Sequence, residues 1–176
     1  MLCTANLCRS PTAEVLLARH LADRGVDAHV HSAGRGPGGL PAPAPALSAF
    51  GAAGVDLSRH RSRTLSPEML AGTDLVIGMA REHVRDALSM DPHVWDRAFT
   101  FKELVRRGEA AGRRLPGEEI SAWLARVGAG RSANALLGSA GVDDVADPIG
   151  GRPRAYRATV RELDALAGRL ADLLAA

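Results

Sequence analysis

The run Cys3-Thr4-Ala5-Asn6-Leu7-Cys8-Arg9-Ser10-Pro11 gathers a thiol, a guanidinium and a hydroxyl just before a proline suited to the first turn of a helix. A short loop that ends on a helix N-terminus turns backbone N–H groups inward and adds the positive end of the helix dipole, which makes an anion site. Arg9 offers a planar fork able to hold two phosphate oxygens. A thiol at the base of that loop sees the same field, which favours a thiolate placed in line with bound phosphorus. The competing reading makes Cys3 and Cys8 small apolar residues flanking a turn, and leaves Asn6, Arg9 and Ser10 unexplained.

Such a loop needs a strand before it and a helix after it. Ser10 is placed to cap a helix that starts at Pro11 and runs to about Arg24, where Gly25 stops it. Val26 to His31 alternates apolar and polar residues as a strand with one buried face does, and Gly34 to Pro45 is Gly/Pro-rich loop. The patterns then predict a helix over Ala46 to Gly54, a short helical piece opened by Ser66-Pro67, and a buried strand over Asp74 to Met79. A helix over Arg81 to Ser89 and a strand over Arg97 to Phe101 follow. Lys102 to Arg107 and Glu118 to Val127 read as helical, joined by a Gly/Arg-rich link, and Gly128 to Gly141 reads as loop with some helix. Pro153 to Ala176 is a closing helix with Val160, Leu163, Leu166 and Leu170 at helical spacing. This alternation predicts an α/β fold, and no composition break or repeat divides residues 1–176, read as one domain.

The string C-x-x-N-x-C-R-S-P, from Cys3 to Pro11, resembles the low-molecular-weight protein tyrosine phosphatases. The resemblance implies a four-stranded parallel sheet with helices on both faces, and a phosphate loop after the first strand. It makes Cys3 the nucleophile, with Arg9 and the loop residues Thr4, Ala5, Asn6, Leu7 and Cys8 around the phosphate. The general acid it implies is an aspartate followed by proline before the last helix, here Asp147-Pro148. Nearby Asp143 and Asp144 lack the following proline and read as solvated. Ser32, in Ser32-Ala33-Gly34, and His60, in His60-Arg61-Ser62-Arg63, resemble members of a buried network with Asn6 and Ser10 that holds the loop in shape. Ser10 is also placed to donate to the Cys3 sulfur. Cys8 is either a partner in a reversible disulfide, as the resemblance implies, or a packing residue.

Departures from that pattern carry expectations too. Only Met1 and Leu2 precede Cys3, where the family has a full central strand, so the first strand is expected to be truncated and the fold less stable than one extended upstream. Ala5 replaces the usual glycine, which predicts strain in a tight loop. The aromatic walls of a phenyl slot are missing, leaving Leu7, Leu40 and Ile149 as the apolar groups on offer. Leu7 still favours an aryl phosphate, since related arginine phosphatases tend to carry Thr there. The arginines between Arg107 and Gly141 read as a solvated face.

Composition narrows the classes. Lys+Arg 22 against Asp+Glu 20 gives a formal +2 with no basic stripe, against a nucleic-acid partner, and the apolar runs are too short to cross a membrane. Two cysteines make no disulfide framework, which sets a reducing, cytoplasmic expectation. His29 and His31, placed on one strand face, lack a third metal ligand, and no Walker-type loop is present, so neither metal nor cofactor is expected. The expected partner is a phosphorylated protein or aryl phosphate substrate; nothing in the sequence sets the oligomeric state. The expected activity is hydrolysis of phosphate monoesters, chiefly protein phosphotyrosine, through a cysteinyl-phosphate. Two alternatives stand beside it: a single-cysteine arsenate reductase, which would have no leaving group for Asp147 to protonate, and a weakly active phosphoprotein-binding regulator.

Overall fold

The computed structural model describes residues 1–137 and 141–175. Four short strands, β1 (Leu2–Cys3), β2 (Ala33–Gly34), β3 (Val76–Gly78) and β4 (Ala98–Thr100), form a parallel sheet in the order β2-β1-β3-β4. Leu2 pairs with Ala33 on one side and Gly78 on the other, so β1 is central. Parallel neighbours need crossovers, and helices supply them. The crossovers hold α1 (Arg9–Ala22), α2 (Ala44–Gly51), α3 (Pro67–Ala71) and α4 (Arg81–Met90), while α5 (Phe101–Ala111), α6 (Ile120–Gly128) and α7 (Pro153–Leu174) follow the last strand.

Strand side chains alternate between two cores, as the pleat requires. Cys3, Ile77 and Phe99 join Leu16 of α1, Leu104 of α5 and Leu163 of α7 on one face. Leu2, Val76 and Ala98 join Leu70 of α3 and Val84 of α4 on the other. Helices thus cover both faces of the expected α/β sheet. Local signals start several of them: Ser66 Oγ accepts the Met69 N–H before α3, and Thr100 with Glu103 forms a reciprocal box before α5.

Val26 to His31 is not a strand. The Met1 ammonium donates to the His31 carbonyl at 2.8 Å, and Ala33 N–H donates to the Met1 carbonyl at 3.0 Å. The register of β1 with β2 starts at Leu2 and Ala33, beyond this segment, and alternation alone cannot make a ladder. Residues 26–31 instead line a cavity of about 390 Å³ together with Met1, Leu17, Leu21 and Leu75. Burial pushes the Met1 ammonium down to about 6.

The stretch after α5 also departs from expectation. Arg107, Arg126 and Arg131 are ties rather than part of a solvated face, because the loops there present carbonyls that need donors, while Arg113 is exposed as expected. Arg126 donates to Ala111 and Arg113 carbonyls at 2.6 and 3.1 Å and pairs with Glu118 at 2.9 Å. Arg131 lies over the rings of Phe99 and Trp95 at 3.9 and 4.4 Å, pairs with Glu103 at 2.9 Å, and donates to the Ala98 carbonyl at 2.7 Å. Trp123 of α6 is buried, and its indole N–H donates to the Gly112 carbonyl at 2.9 Å. Within Gly128 to Gly141, a 3-10 turn covers Ala133–Leu136. Residues 138–140 of that stretch, and Ala176 of the closing helix, lie outside the described residues.

Candidate active site

β1 ends at Cys3 and α1 begins at Arg9, so the residues between them form a tight loop at the C-terminal edge of the central strand. In open parallel sheets this edge is where ligands bind. The loop turns on Asn6, whose φ of 55° is the one positive value among described residues other than glycine. Asparagine tolerates that conformation better than most side chains. Ala5 stays out of the left-handed region, so the strain expected from its replacing glycine does not arise there.

Asn6 is fully buried, and every polar atom of its side chain is used. Its Nδ2 donates to Ser10 Oγ at 2.9 Å and to Ser32 Oγ at 2.8 Å, while Oδ1 accepts the Arg63 N–H at 2.8 Å. His60 Nε2 donates to the Asn6 carbonyl at 2.6 Å. Asn6, Ser10, Ser32 and His60 are therefore joined in one network, with Arg63 as a member that sequence reasoning missed. Backbone fixes the loop's outer side: Gly36 N–H donates to the Thr4 carbonyl at 2.9 Å. A Cβ on Gly34 would stand 2.6 Å from the Cys3 carbonyl oxygen and 2.8 Å from Asn6 N, so only glycine lets the 34–36 segment approach this closely.

The Cys3 sulfur is buried and receives two donors: the Asn6 N–H at 3.2 Å and the Ser10 hydroxyl at 3.0 Å. Ser10 thus spends its proton on sulfur instead of capping α1, and Cys8 occupies the capping position without a side-chain bond. Cys8 is also buried, and burial, reinforced by Asp147 and Cys3, pushes its thiol up to about 12 against the pull of Arg9. A thiol so firmly protonated is a poor attacking group, which weighs toward packing over disulfide exchange. Both cysteines are free.

Arg9, 5% exposed, carries its guanidinium across to the far end of the chain. Nη2 pairs with Asp147 Oδ2 at 2.6 Å and lies 3.3 Å from Thr4 Oγ1; Nη1 donates to the Val145 carbonyl at 3.1 Å. Asp147 Oδ1 accepts the Ile149 N–H at 3.1 Å, and the Val145 N–H donates to the Met79 carbonyl at 2.7 Å. The Asp147 loop is thereby fastened both to Arg9 and to the end of β3. Asp144 is not solvated as expected: it accepts from Arg81 N–H at 2.9 Å and pairs with its guanidinium at 3.3 Å, while Asp143 pairs with Arg106 at 3.0 Å.

His83 of α4 escaped sequence reasoning, because a lone histidine inside a charged helix gives no signal. It is buried, its Nδ1 accepts the Ala80 N–H at 2.9 Å, and its Nε2 lies 3.0 Å from Thr4 Oγ1. Burial, with Arg9 and Arg35 adding, pushes it down to about 3. Leu7 is half-buried, while Leu40 and Ile149 are exposed apolar side chains on the loops after β2 and after Asp147. Among the described residues, no group of three or more His, Cys, Asp or Glu is placed to hold a metal ion.

The model of a family described as low molecular weight phosphotyrosine protein phosphatase matches residues 1–116. The Protein-arginine-phosphatase of Bacillus subtilis (strain 168) is 31% identical over 174 residues, 98% of this chain and 93% of that one. The low molecular weight protein-tyrosine-phosphatase Etp of Escherichia coli (strain K12) is 36% identical over 110 residues, 62% of this chain and 72% of its own. A crystal structure of a low molecular weight protein tyrosine phosphatase from T. tengcongensis superposes with a TM-score of 0.73 at 32% identity, covering 98% of this chain and 96% of that one.

Proposed function

Since the chain belongs to the low molecular weight phosphotyrosine protein phosphatase family, we propose that it hydrolyses phosphate monoesters of protein tyrosine through a cysteinyl-phosphate. The observation that carries this reading is the Cys3 sulfur, held by two donors at the base of a loop that Arg9 and Asp147 close from above. The Cys3 thiolate attacks phosphorus, forming the S–P bond as the P–O bond breaks, and Asp147 passes its proton to the leaving oxygen. Water then attacks the phosphocysteine, returning a proton to Asp147 and releasing inorganic phosphate from sulfur. Arg9 and the loop amides hold the charge that gathers on the equatorial oxygens. A phosphoryl group that takes Arg9 displaces Asp147 from it, which leaves the carboxyl free to face the leaving oxygen.

Leu7, Leu40 and Ile149 support an aromatic leaving group. Phosphoarginine is the second reading, favoured by the similarity to an arginine phosphatase along nearly the whole chain. The test is hydrolysis of p-nitrophenyl phosphate without added metal, followed by phosphotyrosine and phosphoarginine peptides. Cys3→Ser is expected to lower turnover by roughly a thousandfold or more while retaining phosphate binding. Turnover that survives Cys3→Ser would overturn the mechanism. Preference for phosphoarginine would move the substrate and leave the chemistry in place. No turnover from a folded wild type would shift the weight to arsenate or to a binding role.

A further inference from the structure

We propose that His83 is a positioning residue for the phosphate loop: it fixes the Thr4 hydroxyl so that the hydroxyl proton is delivered to a bound phosphoryl oxygen. The inference rests on the phosphate reading of the loop. Nδ1 of His83 is committed as an acceptor to the Ala80 N–H, so the ring proton sits on Nε2. Nε2–H then donates to Thr4 Oγ1 at 3.0 Å, the nearer of two oxygens beside it since Glu82 Oε1 lies at 3.3 Å, and Arg9 Nη2 approaches the Thr4 oxygen at 3.3 Å. A hydroxyl has two lone pairs and one proton. With both lone pairs taken, Thr4 can only donate.

Glu82 Oε1, 3.4 Å from Thr4 Oγ1, is the available acceptor, but its side chain is 54% exposed and the contact is long. A phosphoryl dianion gripped by Arg9 is the stronger competitor for that proton. Thr4 directly follows the candidate nucleophile, so its hydroxyl stands at the rim of the loop. His83 stays neutral near pH 7, through burial and the guanidinium groups of Arg9, Arg35 and Arg85, with Asp144 and Glu82 as the opposing charges. Its donor role therefore does not switch over the working pH range.

The probe is inorganic phosphate, its affinity read by competitive inhibition and by calorimetry on the full chain. His83→Asn leaves an oxygen placed to take over the Ala80 N–H and is too short to reach Thr4. It is expected to weaken phosphate binding about tenfold, as is Thr4→Val, with Thr4→Ser close to wild type. The double variant His83→Asn/Thr4→Val should bind no more weakly than Thr4→Val alone. Unchanged phosphate affinity in a folded His83→Asn protein overturns the proposal, as does full additivity in the double variant. A wild type that binds no phosphate overturns the phosphatase reading itself, and this proposal with it.

Discussion

Replacing His83 by Asn should change how the fold responds to acid. The ring is 2% exposed, and burial together with nearby guanidinium groups pushes it down to about 3, from about 6.5 in an unfolded chain. Above pH 6.5 it is neutral in both states and contributes no pH dependence. As pH falls below 6.5 the unfolded chain takes up a proton that the folded protein cannot accept, so stability is lost continuously down to about pH 3. The slope is about 1.4 kcal/mol per pH unit, which reaches about 2 kcal/mol at pH 5. For a chain of this size that corresponds to roughly 4–8 °C in melting temperature. The assay is urea or thermal unfolding of wild type and His83→Asn at pH 7.5 and pH 5. The Met1 ammonium and His31, both shifted down by burial, also lose stability on acidification, but they are present in both proteins and cancel. Wild type should lose about 2 kcal/mol more than the variant between the two pH values. Equal losses would refute the assignment of a buried, neutral His83.

Asp147→Asn should lower turnover of a phosphopeptide by about a hundredfold or more, with a smaller loss for an acidic phenol that leaves unassisted; equal losses for both leaving groups would count against proton donation. Gly34→Ala pushes a methyl group into three backbone atoms of the loop. It should cost about 3 kcal/mol in urea unfolding and weaken phosphate binding with it. Arg131→Ala uncovers two ring faces and takes one of two guanidinium groups off the Glu103 carboxylate, leaving Arg107 at 3.3 Å. A loss of about 2–3 kcal/mol is expected from denaturant titration, and a loss below about 1 kcal/mol would show that the clamp is not needed.

What the sequence made legible was local. The loop and helix over Cys3 to Pro11 form where spacing puts them because they are contiguous, although α1 starts at Arg9 and not at Pro11. Ser32 and His60 could be placed only by resemblance, yet the geometry explains them: Asn6 has a fixed number of bonds to satisfy, and these residues satisfy them. One miss is local, since Ser10 gives its proton to the Cys3 sulfur and does not cap α1, and the larger ones are long-range. Val26 to His31 has the pattern of a strand, yet pairs with no strand among the described residues. Asp144 looked solvated because Arg81 lies 63 residues away in sequence. Arg126 and Arg131 looked like a surface because their acceptors are largely backbone carbonyls, which no residue pattern displays. His83 reaches Thr4 across 79 residues for the same reason.

The contact between Arg9 and Asp147 also has a bearing on which esters are accepted. An incoming group must replace a full carboxylate, 2.6 Å from the guanidinium, before it gains any hold on Arg9. A monoanion exchanges one negative charge for another and gains little, whereas a dianion gains an extra charge against the same guanidinium and loop amides. The pair therefore acts as a threshold on ligand charge rather than shape. An aryl sulfate, isosteric with the aryl phosphate but carrying one charge fewer, should fail to cross it, and phosphate esters should bind less well once acidic conditions leave them singly charged.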